Sequence, residues 1–141
     1  MAVVDTSFLI ALHRKSDRFS AAAREHPRLY AGGIVLAEVW TEFLTVISRF
    51  YSGAEVRQIV ASALDGPFRV APLLLPAQSG DLAAQLRSTN EKLAQKDIRP
   101  LSLFDFLVCT VARQRKDEIL TFDDGMIAAV KAKIFAGARI A

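Results

Sequence analysis

One cysteine in the whole chain excludes an internal disulfide, and its setting in an apolar stretch makes Cys109 a core-filling thiol in a reducing compartment. Histidine is nearly as scarce. His13 and His26 stand alone and match no zinc-ligand spacing, so packing or surface roles are expected of them. No apolar run approaches the roughly 20 residues of a membrane span. The apolar N-terminal residues are broken by Asp5 and followed, not preceded, by Arg14, Lys15 and Arg18, the reverse of a signal peptide. No linker, low-complexity stretch or internal repeat divides the chain. The expectation is a single domain over residues 1–141, cytoplasmic, with no membrane association.

What is present is a core-forming composition, 52% hydrophobic and 23% charged over 141 residues. Ala2 to Val4 reads as a short buried strand, followed by a helix carrying Phe8, Leu9 and Leu12. A second helix is expected around Asp17 to Glu25, stopped by Pro27, then a brief strand at Leu29 to Ala31 ending at Gly32 and Gly33. The next helix carries Leu36, Val39, Trp40, Phe43, Ile47 and Phe50 on one face, and another follows at about Ala54 to Leu64. Phe68 to Leu73 suits a strand, Asp81 to Lys96 a helix, and Glu118 to Phe122 a strand. A short helix follows Asp123-Asp124-Gly125, and Ala138 to Ile140 suits an edge strand. Alternating short strands and helices indicate an α/β class, a three-layer α/β/α sandwich around a short, mainly parallel sheet. The net charge of +3 includes small basic groups, Arg113, Arg115 and Lys116 or Lys131 and Lys133, which suit either a polyanionic partner or helix C-termini.

The segment LSLFDFLVCTVA poses the chemical question. Wound as a helix, it gives Asp105 the neighbours Val108, Cys109 and Ala112 on its own face, and no cation of that helix reaches it. Leu103, Phe104, Phe106, Leu107 and Val111 cover the other directions, which places the helix in the interior. A buried carboxylate needs hydrogen bonds, a paired charge or a metal ion. The S-x-x-D spacing of Ser102 and Asp105 supplies one answer, a capping box.

Other acids supply another. Functional groups of open α/β sheets gather beyond the carboxyl ends of the strands. Asp5 directly follows the first strand, Glu38 lies early in the helix after the second, and Asp123 ends the strand Glu118 to Phe122. Each has an ordinary reading too: Asp5 as an N-cap, Glu38 in a solvent-facing stripe with Glu42, Thr45 and Arg49, and Asp123 as turn chemistry. Gathered at one rim, such acids would raise one another's pKa and call for a cation. Carboxylate oxygens without histidine or cysteine favour Mg²⁺ or Mn²⁺, and an ion so held suits phosphodiester hydrolysis. Ser7 and Thr121 are supporting hydroxyls, and Glu42 and Asp124 are extra acids that would replace or assist their neighbours.

VVDTSFLIAL, LAEVWTEF, LSLFDFLVCTVA and ILTFDDGM, in this order and at these intervals, resemble the four acidic motifs of PIN domains over nearly the whole chain, most closely those of VapC-type toxins. The resemblance implies that Asp5, Glu38, Asp105 and Asp123 form a catalytic metal site, with Thr121 opening the T-x-D motif and Ser7 supporting it. It further implies a Mg²⁺- or Mn²⁺-dependent endoribonuclease cutting structured RNA such as transfer RNA, a homodimer, and an antitoxin whose C-terminal segment occupies the acidic cleft. Two positions depart from the pattern. Phe106 replaces the more usual small residue after the third acid, implying a narrower cleft, and Gly32 and Gly33 stand where a hydroxyl often caps the helix start. Two other readings stay open: a PIN-like module that binds RNA or protein without cutting, its acids serving as caps, and an aspartyl-phosphate phosphatase with Asp5 as nucleophile. The phosphatase commonly wants a second acid two residues on, where this chain has Ser7.

Overall fold

The computed structural model describes residues 1–71 and 79–141. Five short strands form one parallel sheet: β1 (Ala2–Val4), β2 (Gly33–Leu36), β3 (Phe68–Ala71), β4 (Glu118–Leu120) and β5 (Arg139–Ile140), in the order β3-β2-β1-β4-β5. Helices α1 (Thr6–His13), α2 (Ser20–Arg24), α3 (Ala37–Phe50), α4 (Gly53–Leu64), α5 (Ser79–Gln95), α6 (Leu103–Arg115) and α7 (Asp124–Lys131) complete the α/β/α sandwich. Val3, Val4, Ile34, Val35, Ile119 and Leu120 make the sheet's part of the core, met by Phe8, Val39, Phe43, Val108, Cys109 and Met126 from the helices. Strands buried on both faces read as continuous apolar runs, which is why AVV and GIVL show no alternation. Among the described residues no helix is long and apolar enough to cross a membrane.

The second strand lies four residues beyond its expected start. Leu29 to Ala31 form a turn instead, with Leu29 N donating to His26 O, and the pairing strand is Gly33–Leu36. The β-branched pair Ile34 and Val35 fits between β1 and β3, whereas Gly32, at φ +85°, turns the chain into the sheet. Gly33 is required for a different reason: a Cβ there would lie 2.9 Å from the ring of Phe68 and 3.1 Å from Ala2 O, on both neighbouring strands. Gly33→Ala is expected to cost about 1–3 kcal/mol by overpacking, read as a lowered denaturant midpoint. An unchanged midpoint would mean that Phe68 yields freely.

Other boundaries differ less. The helix expected at Asp17 to Glu25 is confined to Ser20–Arg24 because Asp17 instead accepts from Phe19 N at 2.9 Å and shapes a turn. The strand expected over Glu118 to Phe122 ends at Leu120, where Thr121 and Phe122 leave the sheet to serve the site below. Within the expected strand Phe68 to Leu73, Pro72 and Leu73 lie outside the described residues. The apolar face of α3 is buried at Val39, Phe43 and Ile47, but Phe50 is 51% exposed, with the Arg14 guanidinium 3.9 Å over its ring. Nor is α6 interior all round: Leu103 and Phe104 of its first turn face solvent, and burial begins at Phe106. The start of α3 has no side-chain cap, its N-cap being Leu36, while Gly33 belongs to the strand.

Candidate functional site

Leaving β1, the chain goes to β2 on one side, while β4 lies on the other. The crevice beyond the carboxyl ends of β1 and β4 is therefore the topological switch point of the sheet. Asp5 stands there, its N–H bonded to Leu120 O at 3.0 Å, its side chain 3% exposed. It is the N-cap of α1, accepting from Ser7 N at 3.3 Å. The same Oδ2 accepts from Ser7 Oγ at 2.7 Å and from Thr121 Oγ1 at 2.8 Å. Two backbone groups orient those hydroxyls: Phe122 N donates to Ser7 Oγ at 2.9 Å and Asp123 N to Thr121 Oγ1 at 3.0 Å. An ionised carboxylate only accepts, so both hydroxyls donate to Asp5, and their oxygens lie 3.1 Å apart.

Asp123 ends this segment as the N-cap of α7, its Oδ1 accepting from Met126 N at 2.8 Å. Its Oδ1 also pairs with the Arg99 guanidinium. Arg99 lies over Gly125, where any Cβ would collide with it. Asp105 reaches the same rim by another route. Its helix follows α5 rather than a strand, but α6 feeds β4 through Lys116 and Asp117, so its N-terminus returns to the sheet's carboxyl edge. Ser102 Oγ accepts from Asp105 N at 3.2 Å, one half of the expected capping box.

Electrostatics tie these groups together. Burial pushes the Asp105 carboxyl up from 3.8 to about 7, and the charges of Asp5, Asp123 and Glu42 add to it, with Ser102 opposing. Burial raises Asp5 as well, against the hydrogen bonds from Ser7 and Thr121. Glu42 is raised by burial, then by Asp5 and Asp123. Beneath them the buried Cys109 thiol is pushed up by burial and then by Asp105, Asp5 and Asp123, which suits a packing role. Asp5, Glu42, Asp105 and Asp123 thus feel one another.

Glu38 enters differently. It precedes Glu42 by one turn of α3, and among the described residues its buried Oε1 has no hydrogen-bond partner. Asp124 is exposed at the start of α7. Among the described residues no three acids stand close enough to grip an ion as they are placed. The donor set nevertheless fits a hard divalent cation: carboxylate oxygens only, one of them without a partner among the described residues, and an acid driven towards neutrality by burial and then by its neighbours. His13 packs against Phe43, ring centroids 5.7 Å apart, and His26 meets Phe8 edge-on at 5.6 Å, in keeping with packing roles.

Arg99 carried no sequence signal beyond being a cation just before Pro100, at the mouth of the loop entering α6. The stack of Phe8, Phe122 and Phe19 beside the site, joining residues from separate turns, also lacked one.

A family model described as PIN domain matches residues 2–132. No curated protein sequence matches. Among solved structures the chain is similar to Mycobacterium tuberculosis VapC20, described as a sarcin–ricin-loop-cleaving toxin, at 25% identity, covering 92% of this chain and 95% of that one with a TM-score of 0.67. FitAcB from Neisseria gonorrhoeae is 18% identical, covering 93% of this chain and 94% of that one, with a TM-score of 0.64.

Proposed function

Because the chain belongs to the PIN domain family, we propose that its acidic cleft makes it a Mg²⁺- or Mn²⁺-dependent endoribonuclease, the toxin of a toxin–antitoxin pair. The observation that carries this reading is the convergence of Asp5, Asp105, Asp123 and Glu42 at the switch point, where burial first, and then the three other carboxylates, push Asp105 up to about 7. The similarity to VapC20 supports the toxin class and makes the sarcin–ricin loop, with transfer RNA, a first substrate to try.

Asp5, Asp105, Asp123 and one or both of Glu38 and Glu42 would hold the ion, which when bound would neutralise phosphoryl oxygens and acidify a water. The chain's own contribution is order. Ser7 and Thr121 lock Asp5 into one orientation and stabilise its ionised form, because two hydroxyls and one backbone N–H converge on Oδ2. Asp123 commits Oδ1 to the start of α7 and to Arg99, so its direction is likewise set by the fold. Asp105 is raised by burial and by its acidic neighbours, so a cation would favour its ionised form. The exposed Leu103 and Phe104 at the rim suit an antitoxin segment or a second copy of the chain.

A second reading has its own support: Asp5 and Asp123 both serve as helix caps, and among the described residues no three acids stand within one ion's grip, as in a module that binds without cutting. The phosphatase gains nothing, since Ser7 spends its hydroxyl on Asp5. Incubating the protein with total RNA separates the remaining two. Fragments are expected with Mg²⁺ or Mn²⁺ and none with EDTA. Intact RNA at protein excess with either ion would leave the binding module in its place.

A further inference from the structure

Beside the acids lies an open cleft of about 430 Å³, lined among others by Ser7, Arg18, Phe19, Arg99, Phe122 and Asp123. One wall is a column of flat groups. Phe8, 1% exposed, stacks on Phe122 with centroids 5.4 Å apart and planes 9° apart, and Phe122 stacks on Phe19 at 4.7 Å and 3°. The Arg18 guanidinium carbon lies 4.6 Å from the Phe19 centroid and closes the column on its exposed end. Phe8 and much of Phe122 belong to the core, while Arg18 is the exposed group over the outermost ring. The column is anchored in the core at one end and offers a guanidinium at the other, a surface that stacks well with a nucleobase. Arg99, its side chain 52% exposed, stands on the same cleft and touches the acid centre through Asp123. Asp17 also lines the cleft, with Oδ1 taken by Phe19 N, so it fixes the loop that carries the platform.

Resting on the ribonuclease reading and extending it, we propose that the Phe122–Phe19–Arg18 column is a base platform seating an unpaired nucleotide next to the scissile phosphate, while Arg99 holds that nucleotide's phosphate. A flat base joined to an anion is the ligand that uses both the column and the second guanidinium. The contact is tolerant of base identity, because every base has a face to stack.

Arg18 is exposed, so its replacement leaves the core intact. Arg18→Ala and Arg18→Lys, the latter keeping charge but losing the plane, are to be compared with the unaltered protein. Binding of a fluorescein-labelled single-stranded RNA would be read by anisotropy in EDTA, and cleavage kinetics with Mg²⁺. Both variants are expected to weaken binding about 10-fold and to raise KM with kcat unchanged, the scale of one lost stacking contact. An oligonucleotide of abasic units should bind the unaltered protein and Arg18→Lys equally. If Arg18→Lys matches the unaltered protein on normal RNA, only charge matters and the platform is overturned, though cleavage still supports the ribonuclease. Plane-dependent binding by a protein that never cuts would uphold the platform and overturn the ribonuclease. Unchanged RNA binding in both variants would overturn the proposal.

Discussion

Asp5→Asn is expected to reduce RNA cleavage by at least about 100-fold, the scale of removing a group that manages charge in a transition state. The substitution is nearly isosteric. Its amide oxygen can still accept from Ser7 N, Ser7 Oγ and Thr121 Oγ1, so the cap of α1 and the link to Thr121 persist. What disappears is the negative charge at the switch point, held at 3% exposure. A purely structural role would give the opposite pattern, with little lost in activity once the hydrogen bonds are kept. The measurement is the initial rate on one RNA with Mg²⁺, alongside a thermal melt showing that the variant is folded. Full activity in a folded Asp5→Asn protein would remove Asp5 from the catalytic set.

Asp105→Asn should move activity and ion-free stability in opposite directions. Burial and three negative neighbours raise its carboxyl to about 7 in the folded chain, from an ordinary 3.8. Between those values the folded protein holds a proton that the unfolded chain has released, so stability falls as pH rises through the window and levels off above about 7. Asparagine has no such proton to lose. In EDTA, Asp105→Asn should therefore become more stable than the unaltered chain as pH rises from 5 to 8. The difference should be on the order of 1–2 kcal/mol, after allowance for solvent screening at a group that water still reaches. A residual slope of the same sign remains in the variant, because Asp5 and Glu42 are raised too. Mg²⁺ should restore the unaltered protein at pH 8 by binding the folded state, and the variant less so. Cleavage should fall by about 100-fold or more. Parallel pH–stability curves in EDTA would show that Asp105 is not under the strain assigned to it.

The two substitutions exploit a feature that residue-by-residue reading leaves ambiguous. Asp5 and Asp123 each have an ordinary local role, and both roles are real, since both side chains cap helices. Capping engages one oxygen of each carboxylate, Oδ2 of Asp5 and Oδ1 of Asp123, so a cap and a site residue are not alternatives here. Glu38 and Glu42 show the other side of the difficulty. They lie one turn apart on the same stripe of α3, and helical periodicity gives no means of choosing between them. In the structure Glu42 is the one in electrostatic contact with Asp5, Asp105 and Asp123, while the buried Glu38 Oε1 has no partner among the described residues.

By itself the sequence determined the class of the fold, because buried parallel strands and amphipathic helices write their periods into local stretches such as AVV, GIVL and the Val39, Phe43, Ile47 face. It also determined which acids were available at strand and helix ends, with no histidine among them and with Cys109 in an apolar stretch. Local pattern misplaced the second strand, since Leu29 to Ala31 are apolar enough but only Gly33 permits the approach of Phe68 and Ala2. Tertiary structure alone decided that Ser7 and Thr121, 114 positions apart, meet over Asp5. It alone placed Arg99 on Asp123 and built a column from Phe8, Phe122, Phe19 and Arg18. Such contacts depend on the order in which strands lie side by side, and no short-range period encodes that order.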